Sequence, residues 1–244
     1  MRFAEGVCVV GVDGDDTLWR CQDGFDQADA ALGELFADAA PPEEVAAVQH
    51  ATERRNLPTY GYGVKGWTLS ALETGLQLVG EGFSAGQVRG VLDLGRSLLT
   101  GPVEVLPGAA DALAALSASH KVVLVTKGDL VDQRRKLAAS GLAGHFAHVE
   151  VVPEKDVAAY AELLRFLGCR PEQFLMVGNS EVSDVHPVLD LGGWAVHVPY
   201  HTTWVHELAA EPRVHERRAS VVSLSEVPAL LRGPVVPLRE PQAG

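Results

Sequence analysis

An apolar run from Val7 to Val12 leads directly into three carboxylates, Asp13, Asp15 and Asp16. A β-branched run of this kind reads as a strand buried on both faces. Ending such a strand in acids is costly unless a cation or a reaction uses the charge. In open α/β sheets, ligands gather at the carboxyl ends of strands. Asp13 and Asp15 are therefore expected to form the floor of an active site. Three later strand ends carry residues suited to the same place: Thr126-Lys127-Gly128, Pro153-Glu154-Lys155, and Gly178-Asn179-Ser180 with Ser183-Asp184 just beyond. In a parallel sheet these ends share one edge, so residues far apart in sequence can converge there.

The elements that must position them alternate from residue 107 to 200. Strands are expected at Lys121 to Val125, His148 to Val152, Phe174 to Val177 and Trp194 to Val198, with helices between them at Asp129 to Ser140, Lys155 to Leu167 and about Val182 to Leu191. That alternation is the signature of a parallel sheet with right-handed crossovers. Between the first two strands lies a block too long for a simple crossover. It reads as four helices: Phe25 to Asp38, Pro42 to about Arg55, Trp67 to Val79, and one capped by Ser84 with Gln87. Leu69, Leu72, Leu76 and Val79 would form the apolar face of the third, and Leu57 to Gly66 a Gly- and Tyr-rich loop. The predicted fold is a doubly wound α/β core over 1–21 and 103–232, an all-helical subdomain over 22–102, and a Pro-rich tail over 233–244. A last helix is expected from Ser223 to Leu231.

The bulk numbers narrow the function classes. Hydrophobic residues make up 47% of 244, ample for a core, and 20 Lys+Arg stand against 32 Asp+Glu for a formal charge of −12. Duplex nucleic acid and anionic membranes need a basic surface, so neither is the expected partner. A small anion in a locally positive pocket remains compatible. Cys8, Cys21 and Cys169 are scattered and odd in number, which supports neither a disulfide framework nor a zinc site. With no membrane-span-length apolar stretch and no signal-peptide pattern at the amino terminus, a reducing cytoplasm is the expected setting. Nothing in the sequence bears on oligomeric state.

Taken in order, Asp13-Gly14-Asp15-Asp16-Thr17-Leu18, Thr126, Lys155 and Gly178-Asn179-Ser180-Glu181-Val182-Ser183-Asp184 resemble the four motifs of the haloacid dehalogenase superfamily of aspartate-nucleophile phosphatases. The resemblance covers about residues 7 to 200, and the helical block falls where that family inserts a helical cap. It implies Mg²⁺-dependent hydrolysis of a small phosphorylated metabolite through an aspartyl-phosphate. Asp13 would be the nucleophile. Asp15 would protonate the leaving oxygen and then activate water. Thr126 would donate to a phosphoryl oxygen, and Lys155 would neutralise charge on Asp13 and the phosphoryl group. Gly14 and Lys127 N–H groups would be additional donors. Mg²⁺ would take the Asp13 carboxylate, the Asp15 backbone carbonyl and Asp184, with Asn179 direct or through water. Asp16 stands where the family usually has Gly, and Asn179 where it commonly has Asp.

Each of these residues has a plainer reading. Asp13 and Asp15 could be a turn with a capping acid, Thr126 a cap, Lys155 a solvated lysine in a helix first turn, and Asp184 first-turn charge. Tyr60, Tyr62, Lys65 and Trp67 could close over the site, with Lys65 reading the substrate, or could be a packed loop. Glu53, Arg54 and Arg55 read as a solvated helix face. His186, His197, His201 and His206 lack ligand spacing and read as structural or surface residues. Two rival functions share the pattern. One is a 2-haloacid dehalogenase-type hydrolase, which needs neither metal nor Asp15. The other is a catalytically silent phosphate-binding module.

Overall fold

A computed structural model describes residues 3–202, 204 and 212–231. His206, the tail over 233–244 and the final residue of the 103–232 segment lie outside the described residues. The described chain separates into two compact units.

The α/β unit comprises the described residues up to Arg20, Val103–Lys127 and those from Arg135 on. Its sheet is six-stranded and parallel, in the order β3-β2-β1-β4-β5-β6. The strands are β1 (Val9–Val12), β2 (Lys121–Lys127), β3 (His148–Val152), β4 (Phe174–Gly178), β5 (Trp194–His197) and β6 (Arg218–Ser220). Side chains alternate between two apolar layers, as a sheet covered on both faces requires. Val10, Val12, Leu124, Leu175 and Val177 join one core cluster; Val9, Val123, Val125, Phe174 and Met176 join the other. The register pairs Val12 with Leu124 on one side and with Val177 on the other. Asp13 is therefore the first residue past the end of a central strand. Its N–H still donates to Val177 O at 2.9 Å.

The helical unit comprises Cys21–Pro102 together with Gly128–Arg134. Helices α1 (Gln22–Leu35), α2 (Pro42–Tyr60), α3 (Val64–Val79) and α4 (Ala85–Thr100) pack in a ring, α1 touching both α2 and α4. Ser84 and Gln87 form the expected capping box at the start of α4. The Lys65–Asp129 ion pair, 2.9 Å long, ties 128–134 to this unit, which the sequence reading confined to 22–102. Among the described residues no helix is long and apolar enough to cross a membrane.

Several local expectations are corrected. The loop expected from Leu57 to Gly66 shrinks to Gly61–Gly63, because α2 runs through Pro58 to Tyr60 and α3 begins at Val64. The Leu stripe of α3 is split: Leu69 is 43% and Leu76 58% exposed, while Leu72 and Val79 are partly buried against the core of the helical unit. The inner face of α3 carries Trp67 and Ala71, which join the apolar core, and Ser70 and Thr74, which hydrogen-bond Asn56 and Gln49 of α2. Glu53 is buried rather than solvated, beside Asp29 and His50. The strand β6, three residues long and only half-buried, has no apolar run to announce it. The expected last helix is a 3-10 turn over Leu224–Glu226 followed by a short helix over Val227–Leu230.

Candidate active site

The chain between β1 and the helical unit folds into a tight turn. Leu18 N–H donates to Gly14 O at 2.8 Å, and Asp16 N–H donates to Trp19 O at 2.7 Å. Closing this turn puts Asp16 at φ 61°. That left-handed conformation suits glycine and is tolerated by Asp, which accounts for the residue type usually found there. Gly14 is required for a different reason: a Cβ on it would stand 2.8 Å from Trp19 Cζ2, so the indole lies flat against its backbone. Thr126 Oγ1 is 3.4 Å from that same point, which places Thr126 beside the turn.

At the end of β4 the chain enters a π-helical turn, Glu181–Val185, where a continuous helix was expected. Single π turns of this kind recur at functional sites. Here the turn swings Asp184 back beneath the strand end. Asp184 Oδ2 accepts from Ser180 N–H at 3.0 Å, and only a glycine at position 178 leaves room for that carboxylate. The turn is braced from the far edge of the sheet. Arg218 on β6 donates to both oxygens of Glu181, and His197 on β5 donates from Nε2 to Asn179 O at 2.9 Å. His197 and Arg218 are thus structural supports of the loop that carries Asn179 and Asp184.

Lys155 lies before α7 (Val157–Leu167) rather than in its first turn, because Asp156 caps that helix by accepting from Ala159 N–H at 2.8 Å. Lys155 is thereby free of the helix and buried. Its Nζ donates to Asp13 Oδ1 and, at 2.7 Å, to Asp184 Oδ1. Asp13 Oδ2 accepts from Thr17 Oγ1 at 3.1 Å, and Thr17 Oγ1 is 3.5 Å from Asn179 Oδ1. Asp13, Lys155, Asn179 and Asp184 are therefore gathered at one point.

The electrostatics follow from that gathering. Burial pushes the Asp13 carboxyl up to about 7; Lys155 pulls it down, and Asp184 and Asp15 push it further up. Burial works to lower Lys155, but Asp13 and Asp184 outweigh it and hold the ammonium well above its ordinary value. Two carboxylates thus face one fixed positive charge. Among the described residues no three His, Cys, Asp or Glu side chains group as a metal site. The candidate donor set is two carboxylates with amide, hydroxyl and backbone oxygens. It suits Mg²⁺, a hard ion commonly held by one or two carboxylates and otherwise by water. Such an ion would offset repulsion between the acids gathered there.

The remaining candidates are each held by local contacts. Lys127 Nζ donates to Ser183 Oγ at 2.9 Å and lies 3.4 Å from Glu154 Oε1, so its side chain is tied to the loops around the site. Lys65 belongs to the helical unit, where it is half-exposed and paired with Asp129. Trp67 is buried with its Nε1 donating to Asp29 at 2.8 Å; it is a core residue of that unit, not part of a closing loop. The sequence reading missed Lys136. This residue of α6 (Leu130–Ser140) donates from Nζ to both oxygens of Asp15, at 2.7 and 2.8 Å, while Trp19 Nε1 donates to Asp15 Oδ1 at 2.6 Å. No sequence signal marks it: Lys136 closes the run Arg134-Arg135-Lys136, which reads as solvated charge, yet it is buried.

A sequence profile of the haloacid dehalogenase-like hydrolases matches residues 9–186. No curated protein matches the sequence. Among solved structures, a haloacid dehalogenase-like family hydrolase from Xanthomonas campestris is 40% identical, with a TM-score of 0.82 over 93% of this chain and 91% of that one. L-2-haloacid dehalogenase from Xanthobacter autotrophicus is 18% identical, with a TM-score of 0.62 over 93% and 99%. A magnesium-bound hydrolase of the same superfamily from Bacillus subtilis is 19% identical, with a TM-score of 0.63 over 93% and 100%. The last two resemblances show a shared fold.

Proposed function

The chain belongs to the haloacid dehalogenase-like hydrolases, and from that premise we propose that it is a Mg²⁺-dependent phosphatase acting on a small phosphorylated metabolite. The observation that carries this reading is the meeting of Asp13 and Asp184 on Lys155, with Asn179 close by. Acids gathered at one point repel a phosphate dianion, and a divalent ion would offset that repulsion. The presence of Asp15 supports the same reading, since dehalogenation needs no second acid.

In this reading Asp13 attacks phosphorus, and the bond from phosphorus to the leaving oxygen breaks as Asp15 supplies a proton. A water molecule, giving its proton to Asp15, then attacks the aspartyl-phosphate; its P–O bond to Asp13 breaks, releasing phosphate and the free carboxylate. Lys155 offsets charge on Asp13 and on the phosphoryl oxygens. Thr126 and the N–H groups of Gly14 and Lys127 donate to those oxygens. Asp13, Asp184, Asn179 and the Asp15 carbonyl would hold Mg²⁺, which when bound offsets repulsion between carboxylate and phosphate.

The test is turnover on phosphorylated sugars, nucleotides and amino acids with Mg²⁺ and then with chelator, beside halide release from 2-haloacids. Phosphate release that stops with chelator, and that Asp13→Asn lowers more than about a thousandfold without unfolding the protein, is expected. Metal-independent halide release would replace this reading with the dehalogenase one. No turnover of either kind would leave the silent module.

A further inference from the structure

We propose that Lys136 and Trp19 are positioning residues that fix the Asp15 carboxylate for proton transfer. The proposal rests on the phosphatase reading. Asp15 lies on the turn after β1, where its own backbone does not determine where the carboxylate points. Three donor contacts do so. Lys136 reaches both oxygens from α6, and the Trp19 indole reaches one of them from within the turn. Both clamping residues are themselves held. Trp19 is fully buried against Gly14, and its backbone bridges to Asp15 and to Val105. Lys136 is 7% exposed on a regular helix.

A buried lysine is expensive unless it is paired. Here the pairing is with the one carboxylate whose direction the chemistry depends on. Lys136 spans both oxygens of Asp15, and Trp19 adds a second donor on Oδ1, which limits rotation about the carboxyl torsion. Asp13, by contrast, is oriented by Lys155 and Thr17. The nucleophile and the proton-transfer group are therefore set by separate lysines on separate elements. That separation predicts separable defects.

Leaving-group dependence reads the defect directly. An alkyl phosphate expels a poor leaving group and depends on a well-placed acid, worth about 10²–10⁴-fold; p-nitrophenyl phosphate needs no proton to leave. The parameter kcat/KM reports the first, phosphorylating step and omits the common hydrolysis of the aspartyl-phosphate. Lys136→Met should lower kcat/KM for an alkyl phosphate about 50-fold and for p-nitrophenyl phosphate less than about 5-fold. Added to Asp15→Asn, it should cost nothing further, because the group it positions is gone. Trp19→Phe keeps a ring against Gly14 and removes only the Nε1 donor. It should show the same split at about 5-fold, and it carries the test if Lys136→Met does not fold. Equal losses on both substrates, or losses that add to Asp15→Asn, would reduce the clamp to a structural contact. If Asp15→Asn loses the alkyl substrate and neither clamp variant does, the positioning role falls while the phosphatase reading stands. If the unaltered protein hydrolyses neither ester, the reading itself falls.

Discussion

Both units bury acids, and they deal with them in opposite ways. In the α/β unit, Asp13 and Asp184 keep an ammonium between them, and Asp184 also accepts a backbone N–H. In the helical unit, Glu53 faces Asp29 and the partly exposed His50; burial and then Asp29 push its carboxyl up to about 8, with His50 pulling down. Elsewhere on α2, buried neutral side chains bond across the seam with α3. Thr74 donates to Gln49 at 2.9 Å, Gln77 to Thr52 at 3.1 Å and Asn56 to Ser70 at 3.2 Å. The contrast teaches where chemistry can reside. Burial lifts both, Asp13 to about 7 and Glu53 to about 8, but only Asp13 has an ammonium hydrogen-bonded to it that fixes where its carboxyl points. A buried acid without such a partner takes up a proton and becomes part of the packing.

The largest break in that comparison is Lys155→Met. Removing one partner of a buried ion pair costs about 3–5 kcal/mol, because the acids left behind are uncompensated. Denaturant unfolding should show that loss, and Mg²⁺ should return more stability to the variant than to the unaltered protein. A loss below about 1 kcal/mol would mean that Asp13 and Asp184 do not depend on the ammonium, and the contrast with Glu53 would vanish.

That contrast was only half legible in the sequence. Fully buried parallel strands leave near-continuous apolar runs, so β1, β2 and β4 announce themselves, and an acid immediately after such a run stands out. Asp13, Lys155 and Asp184 were therefore readable as candidates. Lys136 was not, since Arg134-Arg135-Lys136 looks like solvated charge, and only the three-dimensional crossing of α6 with the β1 turn pairs it with Asp15. The α3 helix misled for a different reason. Four apolar residues at helical spacing normally mark the core face. Here α2 offers Gln49, Thr52 and Asn56, so Ser70 and Thr74, which can hydrogen-bond it, turn inward, while Leu69 and Leu76 of the stripe turn out. The π turn at Glu181 is likewise invisible in any period of 3.6 residues.

Glu53→Gln sharpens the comparison at the helical end. A glutamate whose carboxyl rises on folding stabilises fully below its ordinary value of 4.5, and that stabilisation is lost as pH climbs through about 8. His50, raised by its hydrogen bond to Asp29, changes in the same sense. The unaltered protein should therefore weaken between those limits by an amount on the order of a few kcal/mol. The glutamine variant should match it near the acidic limit and exceed it at the alkaline one. Parallel pH profiles for the two proteins would show that Glu53 is charged in the folded state.

The smallest effects test which face of α3 carries the seam. Thr74 is fully buried and its hydroxyl donates to Gln49 Oε1. Thr74→Val keeps the shape but leaves that acceptor without its donor, at a cost of about 1–3 kcal/mol. Leu76, two positions on, is mostly exposed, so Leu76→Lys should change stability by no more than about 0.5 kcal/mol. A leucine is ordinarily the costlier residue to replace with a charge, and a threonine-to-valine change the milder one. Finding the reverse order by denaturant unfolding would place the polar seam, not the leucine stripe, at the packed face of α3. Finding the ordinary order would put Leu76 at the packed face of α3 in place of Thr74.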